Sequence, residues 1–99
     1  MSLEALNKEQ LTQALMKLEN WQLSSANGCD CLSTHFKLGS FTQAMDMANK
    51  VFEIAETQNH HPKLVVEWGS LEVHYWTHTS NGVTELDIAA AIAINGLQI

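Results

Sequence analysis

Three of the five histidines in this 99-residue chain are spaced so that they can meet at one place. His60 and His61 follow a strongly periodic helical segment, and His78 lies at the far end of a predicted hairpin that begins just after them. A hairpin turning at Gly69-Ser70 brings its two outer ends together. Glu56 lies one helical turn before His60. We therefore predict that one carboxylate and three imidazoles share a functional site.

Two kinds of chemistry suit three imidazoles, namely metal binding and general acid–base catalysis. Adjacent His60 and His61 cannot easily face one ion, and His74 and His78 are two pleats apart on a strand. The sequence has no recognisable Ser or Cys nucleophile motif and no glycine-rich phosphate loop. Proton transfer on a small neutral molecule is therefore the chemistry that we expect.

The composition limits the kinds of molecule that the protein is expected to bind. The net charge is −6, and all five strongly basic residues are lysines. Nucleic-acid binding needs clustered cations and commonly arginine, so direct binding to nucleic acid is not expected. No window resembles a membrane span or a signal peptide, which favours a cytoplasmic protein with no membrane partner. Cys29 and Cys31 are interpreted as reduced thiols, since a bridge between them would be strained.

Three helices are predicted from apolar periodicity and from their capping residues. The first runs from Lys8 to Glu19 after an Asn7 cap. The second has a seven-residue apolar stripe, begins after Ser40, and ends near Asn59 because Pro62 follows. We expect that stripe to lie in the core; its members are Phe41, Ala44, Met45, Ala48, Val51, Phe52 and Ala55. The third begins after Thr84, with Ile88, Ala91 and Ile92 as its apolar positions.

Four strands are predicted between these helices, at 21–23, 31–38, 64–68 and 71–79. The first two are separated by a polar, turn-rich stretch, 24–30, that contains Asn27-Gly28. In the last strand, Leu71, Val73, Tyr75 and Thr77 share the face expected to be core. The opposite face is polar and aromatic, typical of a ligand-facing or subunit-facing surface; it carries Glu72, His74, Trp76 and His78.

The order is α-β-β-α-β-β-α, with strands in neighbouring pairs joined by short connections. This predicts an α+β fold, a four-stranded and mainly antiparallel sheet with three helices packed on one face. The whole chain, 1–99, is interpreted as one domain. A domain this short buries a thin core, which favours self-association.

The segment Glu56-Thr-Gln-Asn-His60-His61-Pro62, followed by Trp68, His78 and Asp87, resembles the signature of pterin-4a-carbinolamine dehydratases. The likeness extends over nearly the whole chain, including Trp21, Phe36 and the helix that begins at Phe41. Two positions depart from the animal members, which typically carry Asp in place of Asn59 and a small polar residue in place of Trp76. Both lie beside expected substrate contacts, so the reaction class is better supported than the fine substrate geometry.

The resemblance implies dehydration of 4a-hydroxytetrahydropterins, such as 4a-hydroxytetrahydrobiopterin, to quinonoid dihydropterin. It implies a reaction that needs no metal or redox cofactor, in recycling linked to an aromatic amino acid hydroxylase. It implies a catalytic set of His60, His61 and His78, without saying which is the acid and which the base. Glu56 and Asp87 would support them, although Asp87 is equally explained as a helix cap. Trp68 is interpreted as a packing residue. The pterin would contact two segments, 59–61 and 76–79; these are Asn59, His60, His61, Trp76, Thr77, His78 and Thr79.

The resemblance also implies a homotetramer or homodimer. Two alternatives remain: a non-enzymatic interaction module resembling a transcriptional coactivator, and an accessory protein of molybdopterin metabolism. The histidine set favours the enzyme, because a pure scaffold has no need of it.

Overall fold

The computed structural model describes residues 4–26 and 28–97, and it confirms the predicted element order. The helices are α1 (Lys8–Lys17), α2 (Phe41–Gln58) and α3 (Glu85–Asn95); a short 3-10 helix spans His78–Ser80. The strands are β1 (Gln22–Ala26), β2 (Cys29–Lys37), β3 (Lys63–Glu67) and β4 (Ser70–Tyr75). Within the described ranges, no helix is long and apolar enough to cross a membrane.

The four strands form one sheet in the order β1-β2-β4-β3, and every neighbouring pair is antiparallel. Strand β4 is therefore central, with His74 opposite Ser33 on one side and Lys63 on the other. The three helices and the inward face of the sheet supply the main apolar core. The α+β prediction is confirmed.

All three predicted helix caps are present. Asn7 and Gln10 form a reciprocal capping box at the start of α1. The Ser40 side chain accepts a hydrogen bond from the Gln43 N–H group at 3.1 Å. Thr84 and Asp87 form the capping box of α3. Each cap satisfies an amide that the first helical turn leaves without a partner, so the helix starts follow from local sequence.

The prediction that the whole α2 stripe lies in the core is wrong. Its alanines and Val51 are buried, but Phe41, Met45 and Phe52 are 49%, 40% and 57% exposed. Met47, which lies outside the stripe, is buried instead. The apolar surface of α2 is wider than the strip that one sheet face can cover, and the remainder faces outward. Ile92, one of the predicted apolar positions of α3, is also 59% exposed.

Three predicted strand boundaries also change, namely the end of β1, the start of β2 and the end of β4. The stretch 24–30 was expected to be a loop, but β1 continues to Ala26 and β2 begins at Cys29; Asn27 lies outside the described residues. Strand β4 ends at Tyr75 rather than at residue 79. The β3–β4 ladder already ends at Lys63 and His74, because Pro62, which would face Tyr75, has no N–H to donate. Tyr75 is still paired with Leu32 of β2. The chain then turns, and an isolated bridge joins Thr77 to Gly82.

Candidate active site

The end of α2 delivers His60 and His61 to the edge of the sheet. Asn59 ends the helix in a left-handed conformation with φ 51°, and its N–H group bonds to the carbonyls of Ala55 and Glu56. The His60 N–H group also bonds to the Ala55 carbonyl, at 3.0 Å. Asparagine tolerates the left-handed region better than most residues, so the chain can reverse here without glycine. Two imidazoles consequently follow directly on a rigid helix end.

His60 is held by a buried carboxylate. Its Nε2 atom lies 2.5 Å from Oδ1 of Asp87, whose side chain is fully buried at the start of α3. The other carboxylate oxygen, Oδ2, accepts from the Thr84 N–H group at 2.8 Å and from the Thr77 hydroxyl at 2.9 Å. Asp87 therefore caps α3 and orients His60 at the same time, so the two interpretations of this residue are compatible.

The hydrogen bonds around Asp87 fix the tautomer of His60. An ionised carboxylate only accepts, so the Nε2 atom of His60 carries the proton that is donated to Asp87. In the neutral ring the other nitrogen, Nδ1, then has the lone pair. Thr77 gives its single proton to Asp87, and hence the Thr84 hydroxyl is the donor in the 2.7 Å contact between the two threonines.

Tyr75 also holds His60 in place. Its hydroxyl donates to the His60 carbonyl at 3.2 Å, and the two ring centroids are 5.3 Å apart. Burial of the phenol, together with the nearby Asp87 charge, raises the pKa of Tyr75 to about 12. The phenol therefore remains a neutral donor at physiological pH. The sequence pattern assigned Tyr75 to the core, and nothing in that pattern signals its contact with His60.

His61 has a different environment. Its Nε2 atom lies 2.5 Å from Oε2 of Glu56, and both side chains are more than half exposed. This pair joins two residues five positions apart, because the left-handed turn at Asn59 brings the chain after α2 back toward the last turn of the helix. Glu56 thus contacts His61 rather than His60.

His78 begins the short 3-10 helix and is exposed. Its imidazole stacks on the indole of Trp76, with ring centroids 4.7 Å apart and planes inclined by 25°. Trp76 itself is buried, in a small apolar cluster with Ala26 and Cys31. The sequence predicts a substrate contact for Trp76, but the structure stacks its indole on His78 and keeps it out of the cleft lining.

One cleft of about 320 Å³ brings six of the seven predicted substrate contacts together; Trp76 is the one that does not line it. Leu86, which the sequence reasoning did not select, adds an apolar wall. The lining residues are Asn59, His60, His61, Thr77, His78, Thr79 and Leu86. A cleft with an apolar wall and a few convergent polar groups is typical of small-molecule sites.

The other two histidines lie away from this cleft. His74 is on the face of β4 opposite to that of Tyr75. There its Nε2 atom lies 3.2 Å from Glu72 Oε1, and its Nδ1 atom lies 3.9 Å from the Cys31 sulfur. His35 is exposed on β2. Over residues 4–26 and 28–97, no three His, Cys, Asp or Glu side chains are grouped to hold a metal ion.

The family model for pterin 4 alpha carbinolamine dehydratase matches residues 4–97. The chain belongs to that family. A Hahella chejuensis protein assigned by name to the same dehydratases is 41% identical over 88 residues, which are 89% of this chain and 79% of the relative. The mitochondrial pterin-4-alpha-carbinolamine dehydratase 2 of Arabidopsis thaliana is 35% identical over 98 residues, 98% of this chain and 52% of the plant protein.

A solved structure has the same fold. The Brucella melitensis protein described as a transcriptional coactivator/pterin dehydratase superposes with a TM-score of 0.82 at 32% identity. The match covers 93% of this chain and 96% of the Brucella chain. The predicted membership of the pterin dehydratase family is confirmed.

Proposed function

We propose that this protein removes water from 4a-hydroxytetrahydropterins, with 4a-hydroxytetrahydrobiopterin as its substrate, to give quinonoid dihydropterin. Membership of the pterin dehydratase family supports the reaction class. The observation that carries the proposal is the convergence of three imidazoles on one cleft, with a buried aspartate behind His60.

The reaction needs one proton donor and one proton acceptor. A donor protonates the 4a-hydroxyl group, the C4a–O bond breaks, and water leaves. An acceptor takes the proton from N5, and the electron pair of that N–H bond forms the C4a=N5 double bond. Nothing is oxidised or reduced, so acid–base groups at neutral pH suffice, and such groups typically accelerate proton transfer about 10²–10⁴-fold.

His60 is the group best arranged to act as the base. Asp87 holds the Nε2 proton of His60, which leaves Nδ1 as the acceptor nitrogen of the ring. When Nδ1 takes a proton, the resulting imidazolium faces a buried carboxylate, which stabilises the positive charge. The acid is then one of the two exposed imidazoles, His61 or His78.

The remaining cleft residues hold the pterin. Asn59 and Thr79 add polar groups to the cleft lining, and Leu86 offers an apolar contact to the ring. The Thr77 hydroxyl already donates to Asp87 and accepts from Thr84, and the Thr77 N–H and carbonyl groups bond within the turn that ends at Gly82. Thr77 therefore contributes contact surface to the cleft rather than a free polar group. We place the reaction after a tetrahydropterin-dependent aromatic hydroxylase, which forms the 4a-hydroxy compound, and before a reductase that consumes the quinonoid product.

The test is a dehydration assay on a freshly generated 4a-hydroxytetrahydropterin. His60→Ala and His78→Ala should each lower turnover about tenfold or more, because acid–base groups supply about 10²–10⁴-fold. His61→Ala should weaken substrate binding at least as much as it slows turnover. Treatment with a chelator should leave activity unchanged.

His35→Ala and His74→Ala are the matched controls, because both histidines lie outside the cleft. They should stay within about threefold of the wild-type turnover, a change of under ~0.7 kcal/mol in the barrier. A folded His35→Ala variant as damaged as His78→Ala would show that the cleft is not the active site. Activity lost with a stoichiometric metal would replace the acid–base proposal by a metal site.

We also propose that copies of the chain associate as a dimer or tetramer. The support is the exposed apolar side of α2, formed by Phe41, Met45 and Phe52. Contiguous exposed apolar patches of this kind commonly mark protein interfaces.

A further inference from the structure

The three cleft histidines differ in what holds their rings. His60 and His61 each contact a carboxylate through Nε2, whereas His78 lies against the face of the Trp76 indole. Among residues 4–26 and 28–97, no side chain forms a hydrogen bond with the His78 imidazole. The stack on Trp76 is therefore the contact that sets the plane of this ring.

Trp76 is suited to be a fixed platform. Only 5% of its surface is exposed, and it packs with Ala26, Cys29 and Cys31 in a small cluster separate from the main core. Its backbone lies between the end of β4 at Tyr75 and the bridge that joins Thr77 to Gly82. The indole is thus constrained by packing and by the chain on both sides, so it can hold the exposed His78 ring that stacks on it.

We propose that Trp76 is a positioning residue for His78, and that it fixes the imidazole plane in the cleft while leaving both ring nitrogens free. This inference rests on the proposed dehydratase function. A carboxylate partner occupies one nitrogen of an imidazole, but an aromatic stack contacts only the face of the ring. His78 can therefore donate a proton to the substrate from one nitrogen and exchange protons with solvent at the other. These properties suit the acid of the reaction, which must be reprotonated after every turnover.

The groups that share the cleft with His78 have their own partners. From the end of α2, His61 is paired with Glu56 and His60 with Asp87 of α3. The α3 residue that lines the cleft itself is the apolar Leu86. Removal of the stack with Trp76 should therefore change the orientation of the His78 ring and leave the partners of His60 and His61 unchanged.

A merely structural role for Trp76 would be met by any large apolar side chain, whereas positioning needs an aromatic face. The informative pair is therefore Trp76→Phe, which keeps a ring, and Trp76→Leu, which keeps apolar bulk alone. Cys31→Ala is the matched control, because Cys31 is fully buried in the same cluster and is not part of the cleft.

The first measurement is side-chain NMR of the histidines, with the His78 signal assigned by its loss in a His78→Gln variant. Stacking on an indole should move the His78 ring protons upfield. Trp76→Leu should return them to the position of free histidine, Trp76→Phe should keep part of the displacement, and Cys31→Ala should leave it unchanged. Nuclear Overhauser contacts between the indole and the His78 ring are expected in the wild-type protein and need no variant.

The second measurement is kinetic. A misplaced acid slows the chemical step more than it weakens binding, so Trp76→Leu should lower kcat about tenfold with KM within about threefold. Trp76→Phe should stay within about threefold of the wild-type kcat. The proposal is overturned by an unshifted His78 signal in the wild-type protein, by a Cys31→Ala variant that moves the signal as far as Trp76→Leu, or by equal kcat in the Phe and Leu variants. The NMR result stands even if the protein fails to dehydrate the pterin, so the two proposals fail separately.

Discussion

Asp87 Oδ1 lies 2.5 Å from His60 Nε2, although the two residues are 27 positions apart in the chain. The contact joins the end of α2 to the start of α3 through a carboxylate that also caps α3. Because the same cap sets both the helix start and the histidine orientation, folding of α3 and organisation of the cleft are coupled.

The first prediction concerns the tautomer of His60. Asp87→Asn keeps the shape of the side chain, and its amide oxygen can still accept from Thr84 and Thr77. Its amide nitrogen then donates to Nε2 of His60, which moves the ring proton to Nδ1 and removes the base. We expect kcat to fall about 100-fold, in the range that general bases supply, while circular dichroism shows an unchanged fold.

Asp46→Asn is the control for that change, because Asp46 is an exposed carboxylate on α2 away from the cleft. It should leave kcat unchanged. An Asp87→Asn variant that turns over at the wild-type rate would remove His60 from the role of base.

The second prediction concerns Glu56, whose partner His61 is exposed. Ion pairs between exposed side chains contribute about 0–1 kcal/mol. Glu56→Gln should therefore slow turnover by no more than about fivefold, much less than Asp87→Asn. The wild-type rate should approach that of the variant at about 1 M salt, where exposed charges are screened.

Glu53→Gln, one turn earlier on α2 and also exposed, serves as the comparison and should have no effect. A loss of 100-fold or more in Glu56→Gln would mean that this carboxylate acts directly on the substrate rather than through His61.

Much of this arrangement follows from local sequence, and some of it does not. The caps at Asn7, Ser40 and Thr84 involve residues within three positions, so the helix starts were predictable. The end of the β3–β4 ladder was not, because the pairing register places Pro62, which directly precedes β3, opposite Tyr75. The convergence of the three histidines was inferred from hairpin geometry, and the structure places them along one cleft.

Two features could not be read from spacing alone. A helical stripe shows which positions are apolar, but docking on the sheet decides which of them are covered, so the exposure of Phe41 and Phe52 was missed. The hydrogen bonds of Thr77 to Thr84 and Asp87 cross a loop of irregular backbone, whose path no periodicity describes.

The third prediction follows from the raised pKa of Tyr75, the chain's single tyrosine. An unfolded phenol loses its proton near pH 10, but the folded one does so at about 12. Between these values the native state binds one more proton than the unfolded state, so stability falls as the pH rises. The fall should be about 1.4 kcal/mol per pH unit from this group.

Absorbance of the phenolate measures this directly, since no second tyrosine contributes. We expect the phenolate signal to appear near pH 12 in the folded protein and near pH 10 in denaturant. Urea unfolding of Tyr75→Phe provides the comparison. The free energy of unfolding of this variant should fall less between pH 10 and pH 12 than that of the wild-type protein, because the lysines titrate alike in both. A native phenolate at pH 10 would show that Tyr75 is not buried as described.

The fourth prediction tests association through α2. Full burial of a large apolar side chain contributes about 1.5–3 kcal/mol, so covering Phe41, Met45 and Phe52 can stabilise a dimer. At micromolar concentration the wild-type protein should have a mass of twice or four times 11.0 kDa by light scattering. Phe52→Glu places a charge on this surface at a helix position that tolerates Glu well, and it should give a folded 11 kDa species. Met16→Glu, on the 82% exposed Met16 of α1, should leave the mass unchanged. A wild-type mass of 11 kDa, or equal dissociation in both variants, would exclude this face as the interface.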